Sequence, residues 1–470
     1  MKKTKYIILI IVFFNTVAAP LYPSGYKIGI TIDGLQDSTI LLAYHFGNRK
    51  YIKDTIQLDS HGTGVFSGDE TLPGGIYLVV MPDMNYFELL IDVEQNFSIK
   101  TILDEPVKNM RIEGSEENQQ FNEYHRFMSE KQLASSGLQE RIELNRNNPD
   151  SIQYLQAQGR ALDNEVQNYW QSIILDYSGS LLANMILAMQ NQIIPEFDIP
   201  TDARNPDSLR WVMGYEYNKK HFFDQIDFSD ERLLRTPVLH NKLEHFFTRT
   251  IIQRPDAVIP EAIRIIELSK ANEKVFQYVL VFLLNHYERS NIMGLDEVFV
   301  ELAERYYLSG EAFWVNDETI GNLKEKVDRI KPNLIGRTAP EMKIQTPDGD
   351  LISLHDTEAN YIVIYFYEPS CGHCKVVTPR LNELSKKYKD KGLKVFGVYI
   401  YDDIKEWTEY ISNNNLEWVN VYDPENNSYF RYNYDIYSTP TIYILDSDKT
   451  IIAKRIGIET VEQMMEEFLF

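Results

Sequence analysis

Cysteine is nearly absent from this chain: Cys371 and Cys374 are the only two among 470 residues. A disulfide framework is thereby excluded, and two thiols are too few for a structural zinc site unless histidines help. Histidine is sparse too, at nine residues, and shows no ligand spacing; His240 and His245 are five apart, off one helical face. Positive charge is also short. Lys and Arg number 47 against 69 Asp and Glu, a formal net charge of −22. That balance argues against a nucleic-acid partner. The acids are spread along the chain rather than collected in a tail, so their plain consequence is solubility. Beyond the N-terminal segment no apolar run is long enough to span a bilayer.

The N-terminal segment reads as a secretory signal over residues 1–19. Lys2, Lys3 and Lys5 form a basic start, Tyr6 to Phe14 an apolar stretch, and Thr16-Val17-Ala18-Ala19 a small-residue cleavage region. The apolar stretch is about half of what a bilayer needs. Pro20 disfavours cleavage directly after Ala19, so cleavage after Ala18 is expected. The competing reading is an uncleaved N-terminal anchor. No cysteine lies near the cleavage region, which excludes a lipoprotein.

The rest of the chain has the length for several domains, and its patterning changes twice. Residues 26–113 show short alternating runs separated by Gly, Asn and Asp, such as Tyr26 to Ile32 and Thr39 to Tyr44. This predicts an all-β, sandwich-like domain. Around Gly114-Ser115 the period becomes helical, with Ser115 as cap and Glu116 and Glu117 as first-turn acids. Residues 115–330 read as a central all-α region of helices broken by Pro, Asn-Pro and Gly, with no fixed repeat. Its aromatics and methionines read as core. Lys331-Pro332-Asn333 reads as a linker to a last domain, residues 335–470.

That last domain holds the chemistry. Thr346 to Leu354 predicts a hairpin turning at Asp348-Gly349. Tyr361 to Tyr367 is an apolar, aromatic, β-branched run that reads as a buried strand. Glu368-Pro369-Ser370 is a turn, and Val376 to Tyr388 a helix kinked at Pro379. Between turn and helix sits Cys371-Gly372-His373-Cys374. Two thiols at this spacing can close a small disulfide ring, and a helix N-terminus favours thiolate over thiol in the first. Strands are further expected at 393–400, 441–445 and, as an edge, 451–455. Helices are expected at 405–412 and 461–470.

Other chemistries of the motif fit poorly. Haem attachment wants histidine after the second cysteine, where Lys375 stands. A peroxidase wants threonine three residues before its cysteine, where Glu368 stands. Zinc would have to recruit His373 and a distant histidine such as His355.

Residues 335–470 resemble the thioredoxin-fold domain of the TlpA/ResA-like periplasmic thiol–disulfide oxidoreductases, which are related to the AhpC/TSA group. The resemblance rests on Gly336 and Ala339-Pro340 in the lead-in, the Cys-Gly-His-Cys motif, Pro379, and Thr439-Pro440 before a strand, with Asp423-Pro424 as a weaker match. It implies a multidomain protein ending in an α/β thioredoxin fold, and a redox-active Cys371–Cys374 disulfide in place of a cofactor. It further implies a cis-proline at Pro440, facing the site, and location in the periplasm or cell envelope. The simpler reading of Pro440 is an ordinary turn proline. Expected partners are protein thiols and disulfides and a membrane or periplasmic redox partner. The segments before it resemble regions of unknown function that precede such domains in some Gram-negative envelope proteins. They contain no cysteine and are expected to position a protein substrate or scaffold a homodimer. The alternative is an envelope binding or assembly protein whose thioredoxin domain is secondary.

Two departures stand out. The family's tryptophan before the first cysteine is Ser370, and the buried acid six residues before it is Tyr365. Glu368 is near but on the turn, so that acid's proton-transfer role is not assigned to it. Cys371 is expected to attack and Cys374 to resolve the mixed disulfide. His373, as imidazolium, would stabilise the Cys371 thiolate and so the reduced form; the simpler reading is a solvated loop histidine. One charge contact of about 1–3 kcal/mol corresponds to tens of millivolts in a two-electron couple. His373→Pro is therefore expected to make the couple more reducing by that amount and to raise the Cys371 pKa. A glutathione redox titration beside a thiolate absorbance titration checks this, and an unchanged potential and pKa would refute it.

Overall fold

The computed structural model describes residues 25–469; the expected signal segment lies outside them. The described residues form two compact units, 25–227 with 231–242, and 228–230 with 243–469. The division falls inside the long helical stretch and not at Lys331–Asn333.

The first unit begins with eight strands: β1 (Tyr26–Asp33), β2 (Thr39–Phe46), β3 (Arg49–Gln57), β4 (Thr63–Gly68), β5 (Gly75–Val80), β6 (Tyr86–Ile91), β7 (Asn96–Ile102) and β8 (Arg111–Glu113). They form two four-stranded sheets, ordered β4-β1-β7-β8 and β3-β2-β5-β6. Alternation decides which side chains are buried. Ile28, Ile30 and Ile32 of β1 point inward and share one core with Leu42 of β2, Val79 of β5 and Leu89 of β6. Helices α1 (Glu116–Leu144), α2 (Pro149–Asp176), α3 (Leu181–Met189) and α4 (Pro206–His221) follow. Each starts on a Ser or Asn oxygen that accepts a first-turn N–H: Ser115, Asn148, Ser180 and Asn205. The two Asn-Pro breaks are thus cap and first helical residue, where proline's missing N–H costs nothing.

Helices α5 (Pro237–His245), α6 (Pro255–Ser269), α7 (Glu273–Glu288), α8 (Asp296–Leu302) and α9 (Asp317–Ile330) come next. The second unit packs α6 to α9 together and ends in the thioredoxin-like domain. That domain comprises β9 (Lys343–Gln345), β10 (Leu351–Ser353), β11 (Tyr361–Tyr367), α10 (Gly372–Tyr388), β12 (Leu393–Tyr399), α11 (Ile404–Asn414), β13 (Val419–Tyr422), α12 (Phe430–Asn433), β14 (Thr441–Asp446), β15 (Ile451–Lys454) and α13 (Ile458–Leu469). The seven strands are ordered β10-β9-β13-β12-β11-β14-β15. β11 runs parallel to β12 and antiparallel to β14. β13, a four-residue strand parallel to β12, is too short and too polar at Asn420 to have been anticipated. Among the described residues no helix is long and apolar enough to cross a membrane.

β11 explains how the site is held. Val363, Tyr365 and Tyr367 face one core, with α10 and α13. Ile362, Ile364 and Phe366 face another, with Phe430 and Tyr434. A strand covered on both faces is a rigid support, and the turn carrying Cys371 leaves its C-terminal end.

Lys331–Asn333 is no loose linker. Asn333 is fully buried, and its Oδ1 and backbone carbonyl each accept from Lys454 Nζ at 2.9 Å. Lys454 is only 3% exposed and pairs with Asp296 of α8. Burial pushes the Lys454 ammonium below its ordinary range, and the Asp296 charge opposes that. A buried cation stripped of its partner is costly, about 3–5 kcal/mol. Asp296→Ala is expected to weaken hydrogen-exchange protection of β14 and β15 across a urea series, and the Asp296→Ala/Lys454→Met double variant to recover most of it. Protection in the single variant equal to wild type would refute the assignment.

Candidate active site

Residues 368–374 leave β11, turn, and enter α10. Cys371 is the helix N-cap, and its sulfur accepts the Cys374 backbone N–H at 3.2 Å. The helix thus begins at Gly372, four residues before the Val376 expected from the sequence. The Cys371 thiol lies 3.4 Å from the Thr439 carbonyl oxygen, to which it can donate. Thr439–Pro440 is a cis peptide, so the loop before β14 lies directly against the first cysteine. Glu368 ties the two loops together. It accepts from the Thr439 hydroxyl at 2.8 Å and from the Ser370 hydroxyl at 3.0 Å. The role of Glu368 is thus to join the cysteine turn to the proline loop, a role no local motif signals.

The two thiols are chemically unequal. Cys371 is partly buried and Cys374 fully buried. Burial alone would push the Cys371 thiol up. Hydrogen bonding with the side chain of Cys374, contact with the Thr439 side chain, and the backbone N–H groups of Cys374 and His373 outweigh it and pull Cys371 below the ordinary cysteine range. Cys374 is pushed up to about 11, first by burial and then by its bond to Cys371. The pair is therefore set to hold a thiolate at Cys371 and a thiol at Cys374.

Beneath Cys374 lie hydroxyls. Tyr365, fully buried, has its phenol 3.0 Å from the Thr378 hydroxyl and 3.5 Å from the Cys374 carbonyl. Burial, with the Cys374 charge next, pushes this phenol far above its ordinary value. Tyr365 therefore stays neutral, and it can donate or accept but cannot serve as a carboxylate base. Its ring lies parallel to that of Tyr367 at 4.9 Å. Tyr367 in turn accepts from Trp407 Nε1 at 2.8 Å. The Tyr410 phenol is also pushed up by burial, and the charge of either thiol adds to this.

His373 is exposed, and its backbone N–H is the weakest of the donors that favour the Cys371 thiolate. His373→Pro deletes that donor as well as the ring, so His373→Ala is the variant that isolates the ring. His355 lies in the lead-in, its Nε2 2.8 Å from the Ala339 carbonyl. Among the described residues no group of three or more His, Cys, Asp or Glu could hold a metal ion.

Residues 335–454 match the AhpC/TSA family; residues 26–121 and 198–333 match two domains of unknown function, DUF4369 and DUF5106. The chain is 28% identical over 133 residues to the thiol-disulfide oxidoreductase ResA of Bacillus cereus, which spans 28% of this chain and 74% of that protein. It is 26% identical over 135 residues to the thioredoxin-like protein YneN of Bacillus subtilis, spanning 28% of this chain and 77% of that one. Among solved structures, a domain of a possible thiol-disulfide isomerase from Cytophaga hutchinsonii is 36% identical, with a TM-score of 0.28; the match covers 29% of this chain and 92% of that one.

The pKa ordering has a direct consequence. Alkylation needs thiolate, so its rate rises with pH through the pKa of each thiol. Iodoacetamide at neutral pH is expected to modify Cys371 alone, with a half-maximal rate at lower pH than an ordinary cysteine. Cys374 should react only as pH approaches about 11. Mass mapping of the adducts checks this; equal labelling, or Cys374 first, would overturn the ordering.

Proposed function

We propose that this protein, whose residues 335–454 form a thioredoxin-fold domain of the AhpC/TSA family homologous to the ResA-like thiol–disulfide oxidoreductases, exchanges disulfides with protein substrates through the Cys371–Cys374 couple. The observation that carries this reading is the asymmetry of the two thiols at one helix start. Cys371 is activated by N–H donors and faces the Pro440 loop, while Cys374 is buried one turn on.

The steps follow from that asymmetry. The Cys371 thiolate attacks one sulfur of a substrate disulfide. The substrate S–S bond breaks, and the released thiolate takes a proton. Cys371 is then joined to the substrate by a mixed disulfide. With Cys371 tied up in the mixed disulfide, its bond and its charge no longer hold the Cys374 proton, and burial alone keeps that thiol raised. Cys374 loses its proton and attacks the Cys371 sulfur, which frees the second substrate thiol and leaves a Cys371–Cys374 disulfide. Two electrons have passed from the pair to the substrate. Run backwards, the same steps oxidise a substrate dithiol. A membrane or periplasmic dithiol–disulfide partner resets the couple. The location we propose is the periplasm, on the basis of the N-terminal signal pattern.

Cys371→Ala is expected to abolish exchange. Cys374→Ala is expected to accumulate a substrate adduct at Cys371 that dithiothreitol releases, seen by mass spectrometry under non-reducing conditions. Full turnover by the Cys374 variant, with no adduct, would contradict the assigned roles.

A further inference from the structure

A cavity of about 360 Å³ opens beside Pro440. Val377 of α10, Ile456, Ile458 and Tyr437 line it with apolar surface, and Asp435, Ser438, Thr441 and Arg455 with polar groups. Tyr437 is 67% exposed and has no packed core to hold it. What holds it is a hydrogen bond of its hydroxyl to Asp435 and Arg329 of α9, whose guanidinium lies 4.4 Å from the Tyr437 ring centroid. Arg329 is fixed in turn. Its Nε is 3.3 Å from Asp435 Oδ1, and Asp435 is 4% exposed and also paired with Arg455. Asp435 has a left-handed backbone, φ 51, and begins the loop that leads through Tyr437 to Pro440. One buried carboxylate thus joins a helix outside the thioredoxin-like domain to the loop facing the reactive thiol.

We infer that Arg329 is a positioning residue for substrate recognition: it holds Tyr437 as one wall of this cavity, and the cavity takes a large apolar side chain next to the cysteine of a protein substrate. The inference rests on the thiol–disulfide reading of the site and adds the substrate's chemistry and a part for the helical segment. The two charged lining groups, Asp435 and Arg455, are paired with each other, which leaves Val377, Ile456, Ile458 and the Tyr437 ring to favour an apolar guest. Arg455 is already paired with Asp435, so the cavity does not offer a free cation to an acidic one. The cation–ring contact restricts Tyr437 before the substrate arrives, which lowers the ordering cost of binding.

The test uses the reduced full chain and two synthetic peptides. Each carries one cysteine as a mixed disulfide with glutathione, flanked on both sides by Phe in one and by Gly in the other. Release of peptide thiol gives a second-order rate constant for each. Wild type is expected to prefer the Phe peptide by about tenfold, the scale of one well-packed aromatic contact. Tyr437→Ala and Arg329→Ala should bring the ratio close to one. Arg329→Lys, which keeps charge but not the planar stack, should lie between. Tyr437 is exposed, so its variant remains informative if Arg329→Ala folds poorly. The pH dependence of Cys371 alkylation, which a general distortion of the site would shift, should stay in place. A wild-type ratio near one, or variants that keep the wild-type ratio, would overturn the inference while leaving disulfide exchange standing. Release of neither peptide would overturn the exchange reading and this inference with it.

Discussion

The Cys374 backbone N–H, donated to the Cys371 sulfur at 3.2 Å, decides what each cysteine can do. An α-helix begins with N–H groups that have no intrahelical acceptor. In α10 a side-chain sulfur accepts one of them, so the helix is capped by Cys371 itself. The same geometry puts the next cysteine of the motif one turn deeper, where it is fully buried. Two residues of one type acquire opposite pKa shifts because one collects donors and the other loses water. The support beneath them is β11, fixed on both faces by alternating side chains.

The surroundings of Cys374 are unusual in their neutrality. Tyr365 occupies the place of a buried acid, and its phenol resists ionisation. A hydroxyl can accept one proton while passing on another, so Tyr365 and Thr378, 3.0 Å apart, can orient a proton without holding a charge. A carboxylate there would add a second buried charge near the Cys371 thiolate, and like charges in a low-dielectric interior repel strongly.

Charge also joins the thioredoxin-like domain to the helices before it. Lys454 reaches Asp296 and Asn333, and Asp435 reaches Arg329 and Arg455. Buried pairs of this kind add little net stability over apolar packing, because desolvation offsets attraction. Their geometry is strict, however, and a strict geometry fixes one element's position relative to another. Here the fixed element is the stretch from Asp435 to Pro440, in which the Thr439 carbonyl lies against the Cys371 sulfur.

The sequence by itself determined the local elements and the chemistry of the motif. Period-two burial marked the β-rich segment, helical spacing marked the middle, and Tyr361 to Tyr367 followed by Cys-Gly-His-Cys marked a strand, a turn and a helix start. These are properties of neighbours along the chain, and short-range sterics, capping and burial patterns set them. The tertiary structure alone decided the rest. Glu368 is an ordinary turn acid until Thr439, 71 residues later, donates to it. Lys331–Asn333 has the composition of a linker, but its Asn333 becomes a buried joint when Lys454 arrives 121 residues later. Arg329 and Tyr437 carry no motif, and their meeting depends on where α9 and the Pro440 loop come to lie. The physical reason is the same in each case: the energy of a charge or a hydrogen bond depends on its partner's distance and on the water excluded between them, and neither quantity exists until the chain has folded.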